Sequence, residues 1–566
     1  MNLKERLDGF IANPICVFTL FVIVNLLPCI GLLFTEPFNV WGKIILLIFP
    51  IGLYFIIFTI SKNIGLMQLL LIPLLILHAF QIVVFYLFGE DVIAVDMFLN
   101  VVTTNATEAG EVLNGILVSV IFVIIVYIPT IIIAAIACKR KAHTSDTFRR
   151  RLFFSGVIII VSTYALSFLA KNENTETFTY HQDVYPVNIL YNLDFAVHKW
   201  KRSRQYPQTS KDFSFKAYKK DKTTEKREIY VLVIGETSRA ENWGLYGYER
   251  NTTPYLAQDT NIVFFKDAIT QSNTTHKSVP IIMSAASAEN FDIIYYQKSV
   301  IETFKEVGFT TIFISNQSAN HTFTDYFAQE ADYVHYYRHF NDRTNNLDEA
   351  LLPKFKYYID SLPGNLFIVL HSYGSHFNYK ERYPDNFAIF KPDNVEEISR
   401  VNRDRLINAY DNTILYTDYF LHNVTEILKK TEACSSLFYA SDHGEDILDD
   451  KRQRFLHASP NPTFYQLKIP MFLWFSPVYR EIYPQNVKNA FSNTRKPVST
   501  NAAFHTILDM AHIETDYLDT DLSLVDMKFK TAKRMYLSDH DNPIPYYNAG
   551  LRKEDKAMIE ERKMFH

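Results

Sequence analysis

Three apolar runs of the sequence end in carboxylate or imidazole side chains. The residues that follow these runs are Glu236, His371 with His376, and Asp442 with His443, and His457 comes a short distance later. The runs are typical of buried parallel strands, and ligand sites of open α/β sheets form at the carboxyl ends of such strands. Carboxylate oxygens and imidazole nitrogens are also ligands that zinc prefers. One such side chain alone is more often a helix cap or a surface residue, but three clusters together predict a metal site at one edge of a sheet.

A hydroxyl that such a metal could activate lies in the polar turn Ser272–Pro280. This turn leads into an apolar stretch of small residues, Val279–Ala288, which is typical of a helix. Near a helix N-terminus the macrodipole and the free N–H groups favour an oxyanion, and a divalent cation favours its ionisation further. Thr274 and Thr275 both fit this description. Either could instead be a plain N-cap residue, and the local sequence leaves these interpretations open.

The elements that position these residues follow from the pattern of apolar residues after residue 228. Continuous apolar strands that alternate with helical patterns predict an α/β domain whose sheet is sandwiched between helices. The predicted strands are Ile229–Gly235, Thr310–Ser315, Asn365–His371, Ser436–Ser441 and Ile469–Phe475, and the predicted helices are Ser299–Val307 and Val395–Lys430.

The first 170 residues differ from the rest because nearly all of the long apolar runs lie there. Five of these runs meet the requirement of about 20 mostly apolar residues for a membrane span. They are Pro14–Phe34, Trp41–Ile60, Ile64–Phe88, Ile116–Cys138 and Leu152–Ala170. Buried core helices are the alternative, but five nearly uncharged runs in succession indicate a transmembrane domain with five helices.

Loop charges predict the orientation of these spans. The N-terminus, the turn at Lys62 and the loop 139–151 hold nine Lys and Arg residues, whereas the loop 89–115 holds none. Because basic loops stay on the cytoplasmic side, an odd number of spans places everything after Ala170 on the other side. We therefore expect a multi-pass protein of the bacterial inner membrane with its globular domain in the periplasm.

A polar region connects the two parts. It contains one amphipathic stretch, Val187–Trp200, in which Trp200 stands beside basic residues. Such a helix could lie at the lipid headgroups, and packing on the globular domain explains the pattern equally well. We expect three regions, namely a transmembrane domain at residues 1–170, a bridging helix with a linker at 171–227, and a periplasmic catalytic domain at 228–566.

The composition excludes several classes of protein. With 48% hydrophobic and 21% charged residues the chain is not disordered, and a net charge of −4 gives no basic field that would recruit nucleic acid. The four cysteines are Cys16, Cys29, Cys138 and Cys434. Only the last of them lies after residue 170, so the globular part cannot close an internal disulfide.

Five motifs occur in a fixed order along the chain. They are Gly235–Arg239, Gly247–Pro254, Thr275–Pro280, Asn408–Tyr416 and Ser441–Glu445. Together with five spans before an outward domain, they resemble the phosphoethanolamine transferases of bacterial envelopes, a family that includes the colistin-resistance enzymes and the lipopolysaccharide-core transferases. The resemblance covers essentially the whole chain. It implies a catalytic domain of the alkaline phosphatase and sulfatase type, zinc as cofactor, and phosphatidylethanolamine as donor.

The same resemblance implies roles for individual residues. It makes Thr275 the nucleophile. The implied ligands of one tightly bound zinc ion are Glu236, Thr275, Asp442 and His443. The residues implied to bind phosphate, or a second zinc ion during turnover, are His371, His376 and His457. The residues implied to bind the lipid substrate are Asn100, Thr104, Glu108, Gln317 and Ser318, the first three of which could also be one face of a surface helix.

One departure from the family concerns the nucleophile segment. Many members have cysteines that bracket it, whereas this chain has Gln271 and Ile281 at those positions. We therefore expect packing, in place of a disulfide, to hold the segment.

The reaction implied by the resemblance has two steps. Thr275 takes phosphoethanolamine from the lipid and diacylglycerol leaves, after which an envelope glycolipid, either lipopolysaccharide core or lipid A, displaces the group from Thr275. Three alternatives stay open: transfer of glycerophosphate to a surface polymer, hydrolysis by a sulfatase-like enzyme, and an envelope sensor whose metal is structural. Cys434 lacks the Cys/Ser-X-Pro-X-Arg setting of sulfatases, and a structural metal would have four protein ligands without an open position.

Overall fold

The computed structural model of the chain describes residues 9–89, 91–103, 110, 116–172, 178–220, 225–338, 347–395, 397–531 and 533–561. The chain divides into two compact units. The first consists of residues 1–98, 113–196 and 452–454, and the second of residues 99–112, 197–451 and 455–566. The region boundaries expected at residues 170 and 227 stay predictions.

The described part of the first unit is helical. Its helices are Pro14–Thr35, Val40–Ile57, Ile64–Leu70, Ile72–Phe88, Val95–Thr103, Leu117–Lys139, Asp146–Ser167, Tyr180–Asp183 and Val187–Ser203. Two of these helices, Val95–Thr103 and Val187–Ser203, have their last residues in the second unit. Four of them are long and apolar enough to cross a membrane, and a fifth span results if Ile64–Leu70 and Ile72–Phe88 are one broken span. The predicted transmembrane region is therefore confirmed.

The third predicted span, Ile64–Phe88, is broken into two helices, Ile64–Leu70 and Ile72–Phe88. The two helices in this range are bent by 59° relative to each other. Pro73 lies in the first turn of the second helix, where it has no N–H to donate and where its ring opposes continuation of the preceding helix.

Close backbone contact joins two of the membrane helices. A side chain at Gly52 of Val40–Ile57 would place its Cβ 3.1 Å from the carbonyl oxygen of Gly156, and a side chain at Gly156 of Asp146–Ser167 would place its Cβ 2.8 Å from the carbonyl oxygen of Gly52. Small residues at such positions let two helices approach closely where lipid provides no hydrophobic driving force.

A seven-stranded sheet forms the centre of the second unit. Its strands are β1 (Glu228–Gly235), β2 (Ile262–Phe264), β3 (Thr310–Ser318), β4 (Tyr333–Arg338), β5 (Leu366–His371), β6 (Cys434–Ser441) and β7 (Met471–Phe475). Their order is β2-β7-β6-β1-β5-β3-β4. β7 runs antiparallel to both of its neighbours, β2 and β6, while the pairs β6-β1, β1-β5, β5-β3 and β3-β4 are parallel.

The sheet is covered on both faces. Every residue of β1 and of β6 is buried, which requires packing against both sides because successive side chains alternate between the faces. On one face Phe304 stacks on Phe367 with ring centroids 4.0 Å apart. On the other face Tyr439 contacts Trp243 at 5.8 Å. This confirms the predicted α/β domain.

Helices and two-stranded ladders surround the sheet. The helices of the second unit within the described residues are Tyr206–Thr209, Thr275–Met283, Val300–Glu306, Phe323–Ala328, Leu351–Ser361, Arg403–Lys429, Phe464–Leu467, Pro477–Ile482, Pro484–Asn493, Ala502–Met510 and Lys553–Glu561. Four two-stranded ladders pair Tyr218–Lys219 with Ile513–Glu514, Ala268–Ile269 with Val498–Ser499, Asp446–Ile447 with Phe455–Leu456, and Met535–Leu537 with Pro543–Pro545.

Several predicted bounds differ from the observed ones. The helix expected from Val395 begins at Arg403, after a 3-10 turn at Arg400–Asn402. The strand expected from Ile469 begins at Met471, because Pro470 cannot donate a hydrogen bond to a ladder.

Cys434 leads to a prediction about redox sensitivity. Its thiol is buried in β6, and burial raises its pKa to about 12. The sequence offers no second cysteine after residue 138. We expect a thiol reductant to leave the melting temperature of the second unit unchanged, as measured by thermal unfolding with and without reductant. A clear shift would show that Cys434 has a partner.

Candidate active site

The carboxyl ends of three neighbouring parallel strands bring the predicted ligands together. Gly235 of β1 pairs with Ser441 of β6. The next residues of these two strands are Glu236 and Asp442, so both carboxylates leave the sheet side by side. His371, the last residue of β5, lies on the opposite side of β1. This edge is where the sequence placed the site.

Glu236, Asp442 and His443 form a compact, buried cluster. Their ligand atoms lie within 4.8 Å of one another. His443 Nε2 lies 3.6 Å from Glu236 Oε1 and 3.3 Å from Asp442 Oδ2. His443 Nδ1 donates a hydrogen bond to the carbonyl oxygen of Gly444 at 2.9 Å, which leaves the Nε2 lone pair directed toward the carboxylates.

The charges of this cluster call for a cation. Burial raises the pKa of Glu236 to about 8 and the pKa of Asp442 to about 7, and it lowers the pKa of His443 to about 4. Asp442 Oδ2 is buried and has no hydrogen-bond partner among the described residues. Two carboxylates and one imidazole nitrogen are a donor set that fits zinc, whose charge would offset the cost of burying them.

The hydroxyl group of Thr275 lies beside this cluster. It is the first residue of the helix Thr275–Met283, and its Oγ1 lies 3.2 Å from His443 Nε2. Its side chain is half-buried. A hydroxyl in contact with the predicted metal ligands and at a helix N-terminus has the position that a metal-activated nucleophile needs.

Thr274 has a different position. It is the N-cap residue of the same helix, with extended backbone angles, but its side chain makes no capping hydrogen bond. Its buried hydroxyl lies 3.3 Å from the hydroxyl of Ser272. The structure therefore brings Thr275, and not Thr274, to the hydroxyl position beside His443.

The three predicted phosphate-binding histidines lie around the same cavity. His371, His376, His457 and Thr275 all line a space of about 110 Å³. The ring centroid of His457 lies 4.0 Å from that of His443. His376 Nδ1 donates to the carbonyl oxygen of Phe377 at 2.7 Å. Their roles as ligands stay a prediction, but their position in the site follows from the geometry.

The residues predicted to bind lipid are only partly described. Asn100 lines the cavity, and its Oδ1 lies 2.6 Å from His276 Nε2. Gln317 Nε2 donates to Glu236 Oε2 at 2.9 Å, so this side chain contacts a predicted metal ligand, and Ser318 lines the cavity beside it. Thr104 and Glu108 lie outside the described residues.

Glu445 is a residue of the site that the sequence did not predict. Its Oε1 accepts a hydrogen bond from His457 Nδ1 at 3.0 Å, and its Oε2 accepts one from the hydroxyl of Tyr379. This carboxylate fixes the tautomer of His457 and leaves Nε2 as an acceptor. Glu445 directly follows Asp-His-Gly, but nothing in the local sequence separates it from a surface charge.

Arg239 is a second residue near the site whose role the sequence did not predict. This buried side chain lies 2.7 Å from Asp449 Oδ2, and its Nε donates to Asn242 Oδ1 at 2.6 Å. It therefore joins the segment after β1 to the segment after β6, which carry the predicted metal ligands.

This arrangement predicts the effect of removing the guanidinium group. We expect Arg239→Met to lower the free energy of unfolding by about 3 kcal/mol, because it leaves Asp449 as a buried charge. This loss of stability is at the low end of the range for breaking a buried ion pair, because Arg403 still lies 3.6 Å from Asp449 and offsets part of its charge. Chemical denaturation measures it, with Lys356→Ala in an exposed ion pair as the matched control. Equal stability of both variants would contradict the assignment.

Hydrogen bonds, and not packing alone, hold the nucleophile segment. Gln271 Oε1 accepts a hydrogen bond from the backbone N–H of Ala288 at 3.0 Å, and the Gln271 carbonyl oxygen accepts one from Leu537 N at 2.7 Å. The first of these bonds closes a loop around the helix Thr275–Met283. The side-chain amide of Gln271 thus contributes to holding the segment, together with packing.

Comparisons with known proteins match both parts of the chain. Residues 228–513 match the model of the sulfatase family, and residues 51–193 match the model of phosphoethanolamine transferase EptA/EptB. Phosphoethanolamine transferase EptA of Escherichia coli strain K12 is 32% identical over 312 residues, which are 52% of this chain and 54% of that protein. Kdo(2)-lipid A phosphoethanolamine 7''-transferase of the same strain is 32% identical over 275 residues, 47% of each chain. The chain thus spans about half the length of the curated relatives that it matches.

Solved structures give the same result. The zinc complex of the C-terminal periplasmic domain of EcEptC from Escherichia coli superimposes with a TM-score of 0.54 at 27% identity, covering 59% of this chain and 96% of that one. The integral membrane protein lipooligosaccharide phosphoethanolamine transferase A from Neisseria meningitidis superimposes with a TM-score of 0.70 at 24% identity, covering 89% and 98%, which shows a shared fold. These matches confirm the resemblance inferred from the motifs: the chain belongs to the sulfatase family, as a member that carries the N-terminal region of the phosphoethanolamine transferases.

Proposed function

We propose that this protein transfers phosphoethanolamine from phosphatidylethanolamine to an envelope glycolipid, either lipopolysaccharide core or lipid A. The observation that carries the proposal is the Thr275 hydroxyl at 3.2 Å from His443 Nε2 beside two buried carboxylates. The names of the relatives support the same reaction, and one of them acts on Kdo(2)-lipid A. We place the protein in the bacterial inner membrane with its catalytic domain in the periplasm, as the loop charges indicate.

Zinc is the metal that we propose for the buried cluster. Glu236, Asp442 and His443 would hold it together with Thr275, and the zinc complex of the EcEptC domain supports this choice. When bound, zinc lowers the pKa of a coordinated hydroxyl and neutralises charge on phosphoryl oxygens.

In the first step the Oγ of Thr275 attacks the phosphorus of phosphatidylethanolamine. A bond forms between Oγ and phosphorus while the bond from phosphorus to the glycerol oxygen breaks. The proton that the Thr275 hydroxyl loses is balanced by the proton that the glycerol oxygen takes up, and diacylglycerol leaves into the bilayer. The phosphoethanolamine stays on Thr275 as an ester, so that one difficult displacement becomes two easier ones. The membrane spans support a lipid donor, because tethering raises its effective concentration at the site.

In the second step a hydroxyl or phosphate oxygen of the acceptor attacks the same phosphorus. The bond from phosphorus to the Oγ of Thr275 breaks, and Oγ takes up a proton to become a hydroxyl again. For a hydroxyl acceptor, a base is needed to take the acceptor proton and return it to Oγ. His457 suits this role because its Nδ1 donates to Glu445, which leaves Nε2 as the acceptor. Burial lowers the pKa of His457 to about 4, so the imidazole is unprotonated and its Nε2 lone pair is available. His376 is the second candidate, since its Nδ1 is likewise committed to a carbonyl oxygen.

The test uses the full-length protein in vesicles of phosphatidylethanolamine whose headgroup carries an isotope label. After digestion, mass spectrometry should find labelled phosphoethanolamine on the peptide Ser272–Lys277. Vesicles of phosphatidylglycerol alone should give no adduct. A glycerophosphate adduct from those vesicles would favour the glycerophosphate transferase instead, and release of free phosphoethanolamine without an adduct would favour a hydrolase.

The acceptor needs a separate experiment. Mass spectrometry of envelope glycolipids should show that a deletion strain lacks phosphoethanolamine on a core sugar or on lipid A. An unchanged glycolipid profile would contradict the proposed acceptor class.

A further inference from the structure

The cavity beside Thr275 has an acidic side chain that the proposed chemistry does not use. Asp325 lies in the helix Phe323–Ala328, and only 7% of its surface is exposed. It lines the same space as Thr275, His376 and Tyr373. A buried carboxylate in the cavity of a nucleophile is a candidate for recognising a substrate.

Hydrogen bonds hold Asp325 without neutralising it. Its Oδ1 accepts from the hydroxyl of Tyr336 at 2.9 Å, and its Oδ2 accepts from the backbone N–H groups of Asn320, at 2.6 Å, and His321. It makes no ion pair within the described part of the chain, and the His321 side chain is exposed to solvent. Burial raises the pKa of Asp325. A buried carboxylate without a cation is costly, and a positive charge that arrives with a ligand would offset this cost.

Positive charge lies near another wall of the cavity. The guanidinium carbons of Arg338 and Arg382 lie 4.4 and 4.2 Å from the ring centroid of Tyr373. Tyr373 in turn stacks on His376, with the ring centroids 5.0 Å apart and the planes inclined by 14°. The two arginines also lower the pKa of His376, which burial lowers most. The cavity therefore has cationic groups behind His376 and an anionic group at Asp325.

A cavity with this distribution of charge fits a zwitterion. A phosphoryl group would lie near the nucleophile and the histidines, and an ammonium group would lie against Asp325. A glycerol headgroup carries no positive charge to offset the carboxylate. A choline headgroup carries the charge but has no N–H group to donate to it.

We propose that Asp325, positioned by Tyr336, binds the ammonium group of the donor headgroup and thereby selects an aminoethyl phosphate over uncharged headgroups. The inference rests on the proposed function, because it names the headgroup recognition of the same site. It assigns Asp325 a role in binding and not in the transfer of the phosphoryl group.

The test compares two soluble probes that differ only at the position of the ammonium. Phosphoethanolamine and n-propyl phosphate have the same chain length, but the second has a methyl group where the first has NH₃⁺. Isothermal titration with the full-length, zinc-loaded protein measures their affinities without any turnover. We expect the wild type to bind phosphoethanolamine about 10- to 100-fold more tightly, as a buried charge-assisted hydrogen bond allows.

Asp325→Asn should remove this preference and leave the two affinities within about threefold of each other, because the amide keeps the shape but lacks the charge. Asp332→Asn is the matched control. Asp332 follows Asp325 on the same segment but does not line the cavity. Its carboxylate accepts a hydrogen bond from the backbone N–H of Thr311 and forms an ion pair with Lys305 at 3.2 Å. This variant should keep the wild-type ratio. If the role of Asp325 were merely structural, Asp325→Asn would weaken the binding of both probes equally and leave the ratio of their affinities unchanged.

Two results would overturn the inference: a wild type without preference, and an Asp325→Asn variant that keeps the preference. Failure of the proposed function has a different signature. In that case phosphatidylethanolamine vesicles would give no adduct on Thr275, whatever the ratio of the two probe affinities.

Discussion

Replacement of Thr275 with alanine is expected to abolish transfer while folding and membrane insertion stay intact. The proposed covalent intermediate requires the hydroxyl, and removal of a nucleophile costs at least about 10³-fold in turnover. The side chain is half-buried at the first position of the helix Thr275–Met283, so its truncation leaves no large cavity. The measurement is transfer of a labelled headgroup from phosphatidylethanolamine vesicles, together with a melting curve.

Two neighbouring variants control this experiment. Thr274→Ala should keep most of the activity, because the Thr274 hydroxyl lies near Ser272 and makes no capping hydrogen bond. Thr275→Ser should keep partial activity, since it retains the hydroxyl but loses the methyl group that restrains χ1. An adduct on Thr274, or transfer by Thr275→Ala, would show that the nucleophile is another residue.

The sequence predicted the strand ends well because the strands are buried on both faces. β1, β5 and β6 read as continuous apolar runs, and the first polar residue after each run marks the edge where the ligands meet. The edge strands were missed for the opposite reason. β2 has three residues, and β4 is only partly buried along most of its length, so neither has a distinctive pattern.

The choice between Thr274 and Thr275 shows the limit of local sequence. The two residues have the same side chain, and only the helix start and the position of His443 separate them. Asp325 and Glu445 were missed because their significance depends on partners distant in the sequence. Asp325 is distinguished by the cavity that it shares with Thr275, and Glu445 by the imidazole of His457 twelve residues later.

Loss of the metal is the second large effect that we expect. His443→Ala removes the one nitrogen ligand of the cluster, and we expect it to lower zinc affinity at least about 100-fold and to abolish transfer. Elemental analysis of the purified protein should find close to one zinc ion per wild-type chain and a clearly lower content in the variant. His422→Ala is the control histidine, since His422 lies on the helix Arg403–Lys429 and contacts Tyr255.

The same variant separates a bound metal from a structural role of the imidazole. A ligand that binds only the folded state stabilises it by about 4 kcal/mol at a thousandfold excess over its Kd. A chelator should therefore lower the melting temperature of the wild type and of His422→Ala by several degrees, and it should leave His443→Ala unchanged. If the chelator shifts all three proteins equally, zinc binds elsewhere. If it shifts none of the melting temperatures, Glu236 and Asp442 are stabilised without a metal, and their burial does not require a cation.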